Sequence, residues 1–184
     1  CGLVHRLIRH PMRPLFSALA LCAAVLGRAA GQDYPLVEAQ EVRARGGLPN
    51  FFGKALTTGA EIKVAYLGGS ITAQNGWRGR TLAHFKQAYT RAAFAEINAA
   101  IGGTGSDLGV FRVQQDVLSK GPDLLFVEFA VNDDQDAHHT RQECIRGMEG
   151  ILRHLRLHNP RADVVMTFFL NENSMKSYRN YAPS

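Results

Sequence analysis

Four apolar runs recur along the chain at intervals of about 30 residues, each ending in glycine or polar residues: IKVAYLGG from Ile62, FAEINAAIGG from Phe94, DLLFVEFAVND from Asp123 and ADVVMTFFLNEN from Ala162. Runs of this length and composition, bounded by turn residues, read as strands. The intervals between them carry a helical period instead. Leu82, Phe85 and Tyr89 fall on one helical face between the first two runs, and Leu108, Phe111 and Leu118 form a similar set between the second and third. The clearest stripe is Cys144, Met148, Ile151, Leu152 and Leu155, with Arg146, Glu149, Arg153 and Arg156 on other faces. Strands alternating with helices build βαβ units and hence a parallel sheet, and near-continuous apolar strands call for cover on both faces. The expected class is α/β. In such sheets a ligand crevice opens outside the carboxyl ends of the strands. Those ends read GGSIT, GGTGS, AVNDD and LNEN, so the chemistry is sought there.

The rhythm starts at Ile62 and places a single domain at 62–184 of the 184-residue chain, a usual domain size. Residues 32–61 read as a lead-in segment, with a GGLPN loop signal and a short helix over Phe51–Leu56. Residues 1–31 fit an N-terminal extension and secretory signal peptide. Met12-Arg13 gives a charged start, LFSALALCAAVL (15–26) an apolar run of twelve, and GRAAGQ a small-residue exit. Twelve apolar residues fall short of the roughly 20 that span a bilayer. The expectation is a secreted or periplasmic protein without a stable membrane partner once the signal is removed. The net charge of +5 belongs to the same segment: four of the 21 basic residues, Arg6, Arg9, Arg13 and Arg28, precede Gln32, whereas all 16 acidic residues follow it. The remaining 17 basic residues nearly balance the acids, which leaves no basic patch for nucleic acid. After signal removal Cys144 is the one cysteine left, so neither an intrachain disulfide nor a cysteine zinc site is expected.

Ser70 follows the first run and two glycines. A serine in that place can present its hydroxyl on a tight turn as a nucleophile, given a base to take its proton and donors to hold an oxyanion. The Gly103 backbone N–H and the Asn132 side-chain amide, at the next two strand ends, could supply such donors. Taken singly, each residue also fits a plain structural role: Ser70 as a helix N-cap, Gly103 in a turn, Asn132 in an Asx-turn. A phosphate loop is a poor fit, because GGSITAQNG lacks the Gly-Lys-Ser/Thr ending. Gly103, Gly105 and Gly109 approach a dinucleotide fingerprint with one residue too many, and Glu128, about 20 residues on, falls inside the apolar run rather than beyond it. No His/Cys/Asp cluster shows metal-ligand spacing, and no cofactor is indicated.

LGGSITA around Ser70, NAAIGGTGS around Gly103 and FAVND around Asn132 together resemble the first three sequence blocks of the SGNH (GDSL-like) hydrolase superfamily. More closely they resemble secreted bacterial members grouped with carbohydrate esterases, over roughly residues 46–171. The resemblance implies a flavodoxin-like three-layer α/β/α sandwich and a serine esterase. Ser70 would be the nucleophile, and the Ser70 N–H, the Gly103 N–H and the Asn132 side chain would form the oxyanion hole. Gly69 stands where the Gly-Asp-Ser block has Asp. The fourth block, an Asp-x-x-His that supplies the base, has no copy in the expected place. Asp136 and His139 have the right letters but follow directly on the Asn132 block, before the long helix, and read as a solvated loop. His84, His154 and His158 lie on helices. A chain truncated before its closing strand and Asp-x-x-His is the expectation that follows.

The function expected is hydrolysis of acyl esters, acetyl foremost, on a small-molecule or carbohydrate substrate. A noncatalytic carbohydrate-binding or scaffold protein on the same fold is the alternative, with a nucleotide-binding α/β protein behind it. The sequence is silent on acyl-chain length, the alcohol partner and oligomeric state.

Overall fold

The computed structural model describes residues 42–169. The leader expected over 1–31, the first part of the lead-in segment and the LNEN end of the fourth run lie outside the described residues.

The described residues begin with a short helix, α1 (Pro49–Ala55), then strand β1 (Glu61–Gly68) and two helices, α2 (Ser70–Ala73) and α3 (Trp77–Ala88). Strand β2 (Ala93–Asn98) leads into α4 (Ser106–Asp116), and β3 (Leu124–Glu128) into a π-helical turn over Val131–Asp136. Helix α5 (Arg141–His158) and strand β4 (Asp163–Met166) follow. Among the described residues no helix is long and apolar enough to cross a membrane.

The four strands form one parallel sheet in the order β2-β1-β3-β4. Strand β1 is paired on both edges: Val64 is opposite Glu96 of β2 on one side and Leu124 of β3 on the other. Alternation along the strands then splits the core in two. Ala65, Leu67, Ile97, Leu125 and Val127 point to the face covered by α4 and α5, where they meet Val113, Met148, Ile151 and Leu155. Ile62, Val64, Tyr66, Phe94, Leu124 and Phe126 point to the other face, against Phe51 of α1 and Leu82 and Phe85 of α3. This is the parallel sheet that the alternation of strands and helices implied, in the three-layer α/β/α sandwich that the resemblance implied.

Two details depart from the sequence reading. The third apolar run does not continue as strand to Asp133; β3 stops at Glu128, and the residues after it turn out of the sheet. Helix α4 also faces differently. Its buried residues are Ser106, Gly109 and Val113, while Phe111 is 85% exposed and Leu108 about half exposed. Phe111 lies two residues from Gly109, and so about 200° around the helix from the packed face. Of the apolar set chosen by spacing, Leu118 just beyond the helix is buried in the core, but Leu108 and Phe111 miss the packed face, which is built from small residues where it meets α5.

Helix α1 owes its start to Pro49, whose fixed φ suits a first helical turn. It is fastened to the far edge of the sheet by Asp163, whose carboxylate accepts from the Phe51 N–H (2.8 Å) and the Asn50 side chain (3.1 Å). The Phe51 ring is fully buried against Phe85, Phe94 and Tyr89. Phe51→Ala is therefore expected to cost about 3–5 kcal/mol in denaturant unfolding. A loss below about 1 kcal/mol, the range of surface changes, would show that the segment before β1 is not part of the domain's core.

Candidate active site

Three strand ends meet at one edge of the sheet, because chain order reverses at β1: the chain steps to β2 on one side, then crosses to β3 on the other. At the end of β1, Gly69 is extended (φ −87°, ψ −154°) and serves as the N-cap of α2. Ser70 is thus the first helical residue and not the cap, and it is exposed. The short helix is fixed from beneath and behind. The Thr72 hydroxyl donates to the Glu128 carboxylate at 2.8 Å. The buried Arg78 donates from Nε to the Thr72 carbonyl at 3.0 Å and pairs with Glu96.

The loop after β2 runs alongside. The Ile101 N–H donates to the Gly68 carbonyl at 3.0 Å, and a methyl group placed on Gly102 would lie 3.6 Å from Cβ of Ser70. Gly103 adopts φ +73°, a left-handed conformation that glycine takes without steric cost. After β3, the π-helical turn carries Asn132, with the Ala137 N–H donating to the Asn132 carbonyl at 3.0 Å. Such turns commonly mark functional positions. The Asn132 side chain is buried and lies directly against Gly69: a Cβ at residue 69 would fall 1.9 Å from Asn132 Oδ1. Asn132 Nδ2 donates to Asp136 at 3.3 Å. The glycine at the place where the resemblance has Asp thus leaves room for the Asn132 amide in the position it takes.

A cavity of about 270 Å³ opens beside these residues, lined by Gly103, Thr104, Gly105, Asp107, Leu108, Asn132, Asp136, Ala137 and His139. Ser70 does not line it but stands next to Gly102. The structure therefore gathers Gly103 and Asn132 at one cavity and sets Ser70 against their immediate neighbours.

His139 lies on the loop into α5, as its sequence context implied, between the exposed neighbours Ala137, His138 and Thr140, but its own side chain is partly buried. It lines the cavity, with Nδ1 3.7 Å from Asp133 Oδ1 and Nε2 3.9 Å from Asp107 Oδ2. Both ring nitrogens face carboxylates. Spacing gave no hint of a ligand cluster either, yet Asp133, His139 and Cys144 each bring one donor atom within 4.8 Å of the others. Asp133 accepts from the Ser106 N–H at 2.7 Å at the start of α4, and burial pushes the Cys144 thiol up to about 11, so that it keeps its proton at neutral pH.

Glu128 is fully buried at the very end of β3, not within the strand, and its carboxylate faces the Ser70 turn rather than open crevice. A ribose-binding role does not fit that position. Burial raises its pKa above the ordinary carboxylate value; the Thr72 hydroxyl lowers it in part, Asp133 adds to the rise, and the Gly69 N–H opposes it. The sequence marked this residue only as a charge in an apolar run and as a poor match to the acid of a dinucleotide fingerprint, with no hint of Thr72 as its partner.

Residues 66–183 match the GDSL-like Lipase/Acylhydrolase family. No curated protein gives a significant match. Among solved structures, the chain is similar to a two-domain esterase (CEX) active on acetylated mannans, at 32% identity and a TM-score of 0.56, over 66% of this chain and 34% of that one. It is also similar to the lipase/acylhydrolase from Enterococcus faecalis, at 21% identity and a TM-score of 0.53, over 66% and 64%. Axe2, an acetylxylan esterase from Geobacillus stearothermophilus, shares 18% identity with a TM-score of 0.50 over 68% and 67%. The last two likenesses concern the fold alone. This chain spans about a third of the length of the two-domain esterase.

The raised pKa of Glu128 sets a pH dependence. Between its ordinary value and its folded one, Glu128 keeps a proton in the native chain that the unfolded chain has released, so stability falls as pH rises through that window. Glu128→Gln removes the ionisation while keeping an acceptor for Thr72. Denaturant unfolding at pH 4, 6 and 8 is expected to show the variant gaining on the parent protein as pH rises. Parallel profiles would show that Glu128 titrates like an exposed carboxyl group.

Proposed function

Because the chain belongs to the GDSL-like lipase/acylhydrolase family of ester hydrolases, we propose that it removes acetyl groups from carbohydrate, with Ser70 as the nucleophile and the Ser70 N–H, the Gly103 N–H and the Asn132 side-chain amide as the oxyanion hole. The observation that carries this reading is the meeting of the β1, β2 and β3 ends: Ser70 lies beside Gly102, and Asn132 is pressed against Gly69. An exposed hydroxyl thus has a left-handed glycine loop on one side and a buried amide on the other. The likeness to an esterase active on acetylated mannans supports a sugar-borne acetyl ester as substrate. The polar cavity wall of Asp107, Asp136 and His139 suits a hydroxylated alcohol portion. The leader-like pattern of residues 1–31 supports action in a secreted or periplasmic setting.

In this reading the Ser70 oxygen attacks the ester carbonyl carbon, and the carbonyl oxygen becomes an oxyanion held by three N–H donors. The Ser70 proton goes to a base and from there to the departing sugar hydroxyl. Water then attacks the acyl-serine, gives a proton to the same base and releases acetate, and the base returns the proton to Ser70. Each donor contributes on the order of 3 kcal/mol to the transition state when it is prepositioned. The base assigned in this reading is a histidine of the family's Asp-x-x-His block, and His139, with Nδ1 3.7 Å from Asp133 and Nε2 3.9 Å from Asp107, is left as part of the cavity wall.

A fluorophosphonate probe is expected to label the full-length protein and to spare Ser70→Ala; labelling that persists in the variant would remove Ser70 from the role. Asn132→Ala should lower kcat on an aryl acetate by about 10²–10³-fold. His139→Ala is expected to retain hydrolysis, and its abolition would hand the role of base to His139.

A further inference from the structure

Arg112 projects from α4 into the sheet edge, with its side chain 11% exposed, and one guanidinium there touches all the segments that converge on Ser70 and Gly103. Its Nη1 donates to the Ala99 carbonyl just beyond β2 and to Asp116 Oδ2 at 3.1 Å. Its Nη2 reaches the Gly68 carbonyl, the last of β1, at 3.4 Å and the Thr104 hydroxyl, next to Gly103, also at 3.4 Å. Thr104 in turn donates to the Ile101 carbonyl at 2.8 Å, which closes the glycine loop on itself. Asp116, one turn along the same helix, balances the charge that burial would otherwise penalise.

We infer that Arg112 is a positioning residue that fixes the distance between the nucleophile turn and the oxyanion loop. The inference rests on the esterase reading above. Two of the three proposed donors, the N–H groups of Ser70 and Gly103, sit on loops that leave different strands. Where the ladder between β1 and β2 runs out, the Ala99 carbonyl takes its donor from Arg112, and the Gly68 carbonyl, already bonded to the Ile101 N–H, takes a second, longer bond from the same guanidinium. A guanidinium offers five N–H groups in one rigid plane, so a single side chain can hold both carbonyls and the loop hydroxyl at a set spacing. An ammonium on a flexible stem cannot. Donors aimed at a developing charge act through prior alignment, and a misplacement of about 1 Å can cost 10²-fold in rate. Arg112 itself does not line the cavity and meets it only through Thr104, so its replacement is expected to bear on the transition state more than on substrate binding.

The test uses the full-length protein with Arg112→Lys, Thr104→Val and the double variant, each verified as folded by its melting curve. Kinetics on an aryl acetate are measured beside the rate of fluorophosphonate capture at Ser70. Arg112→Lys is expected to lower kcat by about 10–100-fold with KM changed less than about threefold, and to slow capture by a similar factor. Thr104→Val should lower kcat several-fold, and the double variant should fall short of the product of the two effects, as contacting groups do. A purely structural role would lower the melting temperature and leave kcat of the folded fraction intact. That result, or strictly multiplicative effects, would overturn the proposal. Should Arg112→Lys fail to fold, Thr104→Val decides alone, with an unchanged kcat counting against the inference. Probe labelling that persists in Ser70→Ala would overturn the esterase reading and this inference with it. Labelling confined to Ser70, with Arg112→Lys indistinguishable from the parent, would overturn this inference alone.

Discussion

Strand β1 is hydrogen-bonded on both edges, to β2 along Glu61–Tyr66 and to β3 along Val64–Gly68. Everything at the candidate site hangs from that double pairing. It puts the ends of three strands side by side, and because chain order reverses there, the loops that follow them leave room between one another. The same pairing sets which residues face which helical layer, since a slip of one residue would turn Tyr66 and Ala65 to each other's faces. Burial of the apolar residues in both layers then holds the register that brings Gly68 level with Glu128.

Beneath the exposed Ser70 lies a polar layer that a hydrophobic core would not need. Glu128 holds Thr72, Arg78 holds the far end of the short helix, and Arg112 spans the two strand ends. Buried polar groups of this kind cost free energy unless they are satisfied. They also define a unique geometry when they are, because each bond has direction while apolar contact does not. The local backbone has little of its own to hold it, as a four-residue helix lies far below the length at which helices persist alone.

Much of the fold was legible in the sequence. The four apolar runs and the stripe from Cys144 to Leu155 reflect periodicities that each segment carries by itself, and α5 buries Cys144, Met148, Ile151 and Leu155 accordingly. Ser70, Gly103 and Asn132 could be placed at strand ends because strand ends are visible as breaks in hydropathy. What could not be read was the identity of long-range polar partners. Glu128 meets Thr72 across 56 residues, and Arg112 meets Gly68 across 44. As isolated letters, one is a charge that interrupts a strand and the other a basic residue on a helix. The inward face of α4 was missed for a related reason. Gly109 and Ser106 are buried by the closeness of α5, and small residues leave no trace in an apolar pattern.

The contact between Gly69 and Asn132 bears on how this chain can change by substitution. With Asn132 Oδ1 occupying the volume of a Cβ at residue 69, the two positions are not free to vary separately. A side chain at 69, including the Asp of the Gly-Asp-Ser block, requires the Asn132 side chain to move first or at the same time. A single replacement at 69 therefore passes through a chain whose amide is displaced from the cavity. The glycine is in that sense a historical lock, opened only from the β3 side of the sheet.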